Sequence, residues 1–248
     1  MTKTFFYLFL ILWTANFAQT DRILQKTYAE QDGLDIDIIS AMAFDNDGFL
    51  WLGGENLSVR KIIISDKKLV LQRFNGNTFH NISLPQYKNR ILKVNQIYKR
   101  DDGKFYVTVS LEDGAKVLLF DPYSSRFQEC NFPNFENPIE ATSSIFKYKD
   151  KDYILFQKEG SISLCILDNI NKVTPIFSFK PKTTKFFVDL STRFIPFDDF
   201  CIISDDNFLP TAFDWEGNKL KTFTDIAFKN TNKSLKKTWI DEVFKHND

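Results

Sequence analysis

An all-β fold of repeated four-stranded antiparallel units is predicted by three observations. Two residue markers recur with a shared period, short apolar runs are punctuated by turn residues, and no long stretch has helical periodicity. The first marker is a tight turn followed by an aromatic-rich strand, clearest in Phe44-Asp45-Asn46-Asp47-Gly48-Phe49-Leu50-Trp51-Leu52-Gly53. Asp-Gly between apolar alternating runs signals a hairpin, because the turn needs φ > 0 and glycine supplies it. Copies align at Asp102-Gly103-Lys104-Phe105-Tyr106, Lys151-Asp152-Tyr153-Ile154-Leu155 and Asp198-Asp199-Phe200-Cys201-Ile202, with the turn at positions 48, 103, 152 and 199. The second marker is an apolar residue followed by Asp or Asn: Phe74-Asn75, Phe120-Asp121, Leu167-Asp168 and Phe213-Asp214. Its polar members fall 46, 47 and 46 residues apart.

Each period holds four strand-like runs. The second unit has Ile91–Lys99, Lys104–Ser110, Ala115–Phe120 and Arg126–Cys130. The third has Ser143–Lys149, Tyr153–Gln157, Ser161–Leu167 and Lys172–Phe179, and the fourth Leu190–Pro196, Phe200–Ser204, Leu209–Phe213 and Lys219–Phe223. Asp113-Gly114, Asp121-Pro122, Glu159-Gly160 and Glu216-Gly217-Asn218 separate them as turns. Four antiparallel strands per period of this length mark the blade of a β-propeller. The blades are expected at about 33–84, 85–135, 136–182 and 183–230. The longer first step places an insertion around Glu55 to Lys68.

The termini add two expectations. Arg22 to Ala29 precedes the first unit and reads as a lone strand that would complete a last blade. Lys237 to Asp248 resembles the run Ile39 to Asp47, so 231–248 reads as the start of a fifth unit, cut one residue before its turn glycine. The expectation is an incomplete propeller, a fragment of a longer one, since propellers commonly close with 4–8 blades.

Residues 1–18 read as a secretory signal. Lys3 supplies the positive start, Phe5 to Trp13 the apolar core, and Ala18 the small residue before cleavage. The apolar stretch from Phe5 to Ala18 is short for a membrane span of about 20 residues. The mature chain, from residue 19, is expected to be exported and soluble.

Composition excludes several classes. The 248 residues are 43% hydrophobic and 26% charged, enough to bury a core. Formal net charge of +0 leaves no electrostatic footprint for nucleic acid or an anionic membrane surface. Two histidines far apart and three scattered cysteines give no zinc spacing, and no metal or cofactor is expected. Asp45-Asn46-Asp47-Gly48 lacks the downstream glutamate of a calcium loop and reads as a turn. Cys165 and Cys201 lie in apolar runs and read as core residues, with a disulfide between them left open.

The first unit resembles the two-component regulator propeller repeat. Gln31-Asp32-Gly33-Leu34, Ile38 to Asp45, and Asp47-Gly48-Phe49-Leu50-Trp51-Leu52-Gly53 follow its pattern, and Phe74-Asn75-Gly76 stands for its closing Phe-Asp-Gly. Gly54 replaces the usual Thr, and the later units match in period and apolar pattern alone. The resemblance implies a periplasmic sensor segment whose ligands are largely oligosaccharides. It also implies a downstream immunoglobulin-like stalk, a membrane helix and a cytoplasmic output module, usually a histidine kinase, in a dimer.

Two alternatives stand beside it: an exported carbohydrate-active propeller enzyme, and a secreted interaction scaffold. Asn46-x-Gly48-x-x-Trp51 is close to the Asp-box turn of sialidase-type propellers, a structural element. Asp198/Asp199 and Asp205/Asp206 could serve as acid and base, but 32 acidic residues guarantee such pairs in turns. Trp51, Tyr106, Phe156 and Trp215 read as packing between blades. Loops joining the second and third strands of each blade would converge on one surface. The candidate ligand-binding residues there are Glu55, Asn56, Glu112, Asp113, Lys158, Glu159, Asp205 and Asp206, with none assigned as catalytic.

Overall fold

The computed structural model describes residues 26–56, 70–87, 91–130, 139–168, 172–181, 192–204 and 210–222. The expected signal, most of the insertion, Asp205 and Asp206, and the fifth unit lie outside these residues.

The first blade comprises β1 (Ile38–Phe44), β2 (Leu50–Glu55), β3 (Val70–Phe74) and β4 (Phe79–Ser83). The second comprises β5 (Ile91–Lys99), β6 (Phe105–Leu111), β7 (Gly114–Asp121) and β8 (Arg126–Glu129). The third holds β9 (Ala141–Thr142), β10 (Phe146–Tyr148), β11 (Lys151–Lys158), β12 (Ser161–Asp168) and β13 (Lys172–Phe179). The fourth holds β14 (Arg193–Pro196), β15 (Phe200–Ser204), β16 (Thr211–Asp214) and β17 (Lys219–Thr222). Each is an antiparallel meander, and a single pair, Glu55↔Lys93, joins the first two blades into one hydrogen-bonded sheet.

Successive blades pack face to face. Trp51 of β2 meets Phe105 and Phe120 of the second blade at 6.0 and 4.9 Å between centroids. Tyr106, Val117 and Leu119 of the second blade share a cluster with Ile154 and Phe156 of the third. Leu155, Leu164 and Phe177 of the third share one with Cys201, Ile203 and Phe213 of the fourth. β6 reads Phe-Tyr-Val-Thr-Val-Ser-Leu and is buried along nearly its whole length. Its β-branched and aromatic residues suit a strand covered on both faces. The outer strand β8 alternates exposed and half-buried residues.

Three expectations change. In the third unit Tyr148 pairs with Lys151, so the turn residues are Lys149 and Asp150, with φ 45° and 60°. Asp152 lies on β11 opposite Lys147, not in the turn. This connection has two residues, where 45–49 and 100–104 span five between Phe44↔Leu50 and Lys99↔Phe105. The expected strand Ser143–Lys149 is split into β9 and β10. Gln96 of the second blade takes over Ile145 there, accepting its amide at 2.6 Å and donating to its carbonyl at 3.1 Å.

Of the expected strand Arg22 to Ala29, the first four residues lie outside the described ones, and Lys26 to Ala29 forms no strand. Tyr28 instead lies against Phe74 and Phe79 of the first blade and donates to the Gly76 carbonyl at 3.2 Å. A short 3-10 turn at Glu30–Asp32 follows. The buried Gln72 amide then holds the next stretch, donating to the Gly33 carbonyl and accepting the Asp35 amide at 2.8 and 3.0 Å. The cysteines are free and buried. Cys165 sits between blades two and three and Cys201 between three and four, so the third sheet separates them.

Candidate functional site

Antiparallel pairing sends successive turns to opposite ends of a blade, so each end carries two kinds of connection. At one end lie the turns between first and second strands and between third and fourth strands. At the other lie the turns between second and third strands and the links from one blade to the next.

The first end is held by side chains that cap turns. Asp45 Oδ1 accepts the amides of Asp47 and Phe49 at 3.0 and 2.9 Å, while Oδ2 accepts the Trp51 indole N–H at 2.8 Å. Gly48 supplies φ 84° in that turn. The second sequence marker has the same chemistry. Asn75, Asp121 and Asp214 each accept two backbone amides through Oδ1 at the turn between third and fourth strands. The Asn218 side chain, donating to Asp214 Oδ2 at 2.9 Å, and then the backbone amides hold the Asp214 carboxyl below the ordinary carboxylate range. At Asp121, against the raising effect of burial, the amides of Tyr123 and Ser124, with the Ser124 hydroxyl and Lys104, lower the carboxyl.

Neighbouring blades are also tied at this end. Tyr98 donates to Asp152 at 2.8 Å and Tyr148 to Asp198 at 3.0 Å, with Lys149 also 2.9 Å from Asp198. Lys147 pairs with Asp101. Burial raises the Asp152 carboxyl above its usual range, against the lowering effect of the Tyr98 hydroxyl.

The opposite end carries the sequence-nominated ligand residues. Glu112 and Asp113 form an exposed two-residue turn between the paired Leu111 and Gly114. Lys158 is half-buried at the end of β11, and the exposed Glu159 turns the chain at φ 51°. The Glu159 amide donates to Glu140 at 2.6 Å, in the link entering the third blade. Glu55 forms a 3.0 Å ion pair with Lys93, and its carbonyl accepts the Asp37 amide. Asn56 is buried and donates to the Asp35 carbonyl at 3.0 Å.

Glu55 and Asn56 make contacts within the fold, and Glu112, Asp113 and Glu159 are exposed. Sequence reasoning missed Lys93, Glu140 and the Asn95–Ser110 pair, joined at 2.8 Å. The alternation in Ile91-Leu92-Lys93-Val94-Asn95 was the available signal for Lys93 and Asn95. For Glu140, remote in sequence from Glu159, there was none.

Among the described residues no group of His, Cys, Asp or Glu is arranged to hold a metal ion. No helix there is long and apolar enough to cross a membrane.

No family model and no curated protein matches the chain. Solved structures do. The extracellular domain of the putative hybrid two-component system BT3049 from B. thetaiotaomicron is similar at 12% identity and a TM-score of 0.51, over 80% of this chain and 26% of that one. Sqt1 from Saccharomyces cerevisiae is similar at 13% identity and a TM-score of 0.50, over 80% of this chain and 51% of that one. The Dos1 propeller aligns at 12% identity and a TM-score of 0.44, over 76% and 59%. The chain thus spans about a quarter to three-fifths of these proteins, and the likeness is one of fold. The described residues form antiparallel blades of a β-propeller.

Proposed function

We propose that this chain is the exported, ligand-binding segment of a two-component sensor of the two-component regulator propeller family. The observation that carries the reading is the first blade, whose Gly33-Leu34, Asp45, Gly48, Trp51 and Gly53 follow that family's repeat. The likeness to the BT3049 extracellular domain supports it. The chain binds and does not catalyse. Its ligand is a neutral oligosaccharide, met at the end bearing Glu112, Asp113, Glu140 and Glu159. Four carboxylates there against the one ammonium of Lys158 favour a ligand that offers hydroxyl donors over one that brings negative charge. Ligand binding biases the arrangement of two propellers in a dimer, and a downstream stalk and membrane helix pass the change to a kinase.

The test uses the product of the complete gene in isolated membranes. Phosphate incorporation from ATP is measured with and without a panel of neutral oligosaccharides. One member of the panel should change the rate. A gene product with neither a membrane segment nor kinase activity overturns the reading, and turnover of a panel glycoside transfers the chain to the enzymes.

A further inference from the structure

Arg73, on β3, pairs with Trp51 of β2 on one side and with His80 of β4 on the other. Directly paired residues share a face, so the three side chains form a row. That face looks toward the second blade, because Trp51 belongs to the cluster between the first two blades. Phe49 and Thr78 lie two residues before Trp51 and His80, and alternation puts them beside the row, at the end that carries the turns. The Arg73 guanidinium lies 4.8 Å from the Phe49 ring centroid and 6.0 Å from that of Trp51. His80 Nε2 is 3.2 Å from the Thr78 hydroxyl.

Donors gather here without an acceptor to meet them. Arg73 is half-buried, and its Nε is buried with no hydrogen-bond partner. No ion pair among the described residues includes Arg73 or His80. Asp45 is tied to the row through the Trp51 indole, but it uses Oδ1 on two amides and Oδ2 on that indole. Arg100 of the second blade shows the contrast: its guanidinium is met by the Asp102 carboxylate at 3.1 Å and donates to the Tyr106 hydroxyl at 2.9 Å. A cation drawn partly out of water with no countercharge costs free energy that a bound anion offsets. The Phe49 and Trp51 rings also hold the Arg73 guanidinium in place, so little freedom is lost when an anion arrives.

We propose that Arg73 and Thr78, with His80 behind the hydroxyl, form a binding site for a tetrahedral oxyanion: a phosphate, free or carried as a monoester. The terminal nitrogens of Arg73 take two of its oxygens in a forked pair. The His80 ring donates to the Thr78 oxygen, and this turns the Thr78 hydroxyl proton toward a third oxygen. A carboxylate is filled by the fork alone, so donors on two strands select the tetrahedral group. The site lies at the opposite end of the blade from the surface proposed for the neutral ligand and does not rest on that reading.

Inorganic phosphate and glycerol 3-phosphate are the probes, each titrated calorimetrically into the purified chain at constant ionic strength set with sodium chloride. At least one should bind one to one, and the tighter of the two names the source. Acetate at the same concentration should not displace it. Arg73→Gln should weaken binding about tenfold or more, and Arg73→Lys by less, because the fork is lost while the charge remains. Thr78→Val, at an exposed position, should weaken it about fivefold with the thermal midpoint in the absence of phosphate unchanged. The chain has two histidines, so the His80 ring can be followed by proton NMR, and its resonance should shift with the same saturation as the heat. Far-UV circular dichroism confirms that the variants fold, and Thr78→Val carries the test if Arg73→Gln does not. Absence of binding of both probes at millimolar concentration overturns the proposal, as does unchanged affinity in either folded variant. Equal displacement by acetate also overturns it, reducing the row to a cationic patch.

Discussion

Asp45 is the residue on which the first blade turns. One carboxylate closes a five-residue connection and anchors Trp51, whose side chain is wholly buried between blades. Asp45→Ala leaves the indole N–H buried without an acceptor. We expect a loss of about 2–3 kcal/mol, read as a lower urea midpoint at unchanged slope; a shift too small to resolve would contradict this role. Tyr98 and Asp152 make a second residue-scale prediction. The Asp152 carboxyl is raised by burial, so the folded chain holds that proton more tightly than the unfolded one. Its contribution is complete below the unfolded pKa and is lost as pH rises through the folded value. Tyr98→Phe removes a lowering contact, so the Asp152 carboxyl should titrate higher still by carbon-detected NMR. Asp121 and Asp214 have the opposite sign: their contribution is present above the ordinary carboxylate range and fades as pH falls through their depressed values.

At the scale of the element, the two sequence markers were legible because each is a local device. Gly48 and the Asx caps at Asn75, Asp121 and Asp214 act within four residues of their partners, so one short window contains the whole cause. The third unit misled because its connection is a two-residue turn without glycine, built from Lys149 and Asp150 at positive φ. Glycine is favoured there on steric grounds. Asp150→Gly should therefore stabilise the chain by roughly 1 kcal/mol, seen as a higher melting temperature. Gly54 shows the converse. A Cβ at that position would collide with the Ile38 carbonyl oxygen, where the β1–β2 register shifts between Ile39 and Ala41. The Thr usual at this place in the two-component regulator propeller repeat, which the first unit resembles, is thus excluded by a local bulge. Gly54→Thr should cost more than about 2 kcal/mol, or fail to express as folded protein, where Thr is tolerated in an unbulged blade.

At the scale of the whole molecule, period and turn chemistry announced the blades, but not what joins them. The ties between blades span about fifty residues: Tyr98 to Asp152, Tyr148 to Asp198, Gln96 to Ile145. None has a signature that a window shorter than one repeat could show. Glu55 and Asn56 looked available for ligand because their partners Lys93 and Asp35, though within one repeat, come from other strands and segments that local sequence does not bring together. Stacking makes the interior strands the most protected, because β6 and β7 are covered on both sides while β4 and β8 lie at the rim. Amide hydrogen exchange should be slowest in β6 and β7 and fastest in the outer strands. The central claim, that the propeller receives its ligand at one end, is tested most directly by the same measurement with a bound neutral oligosaccharide. The account predicts added protection at Glu112, Asp113, Glu140 and Glu159. Protection confined to the opposite turns, at 45–49 and 149–150, would contradict it.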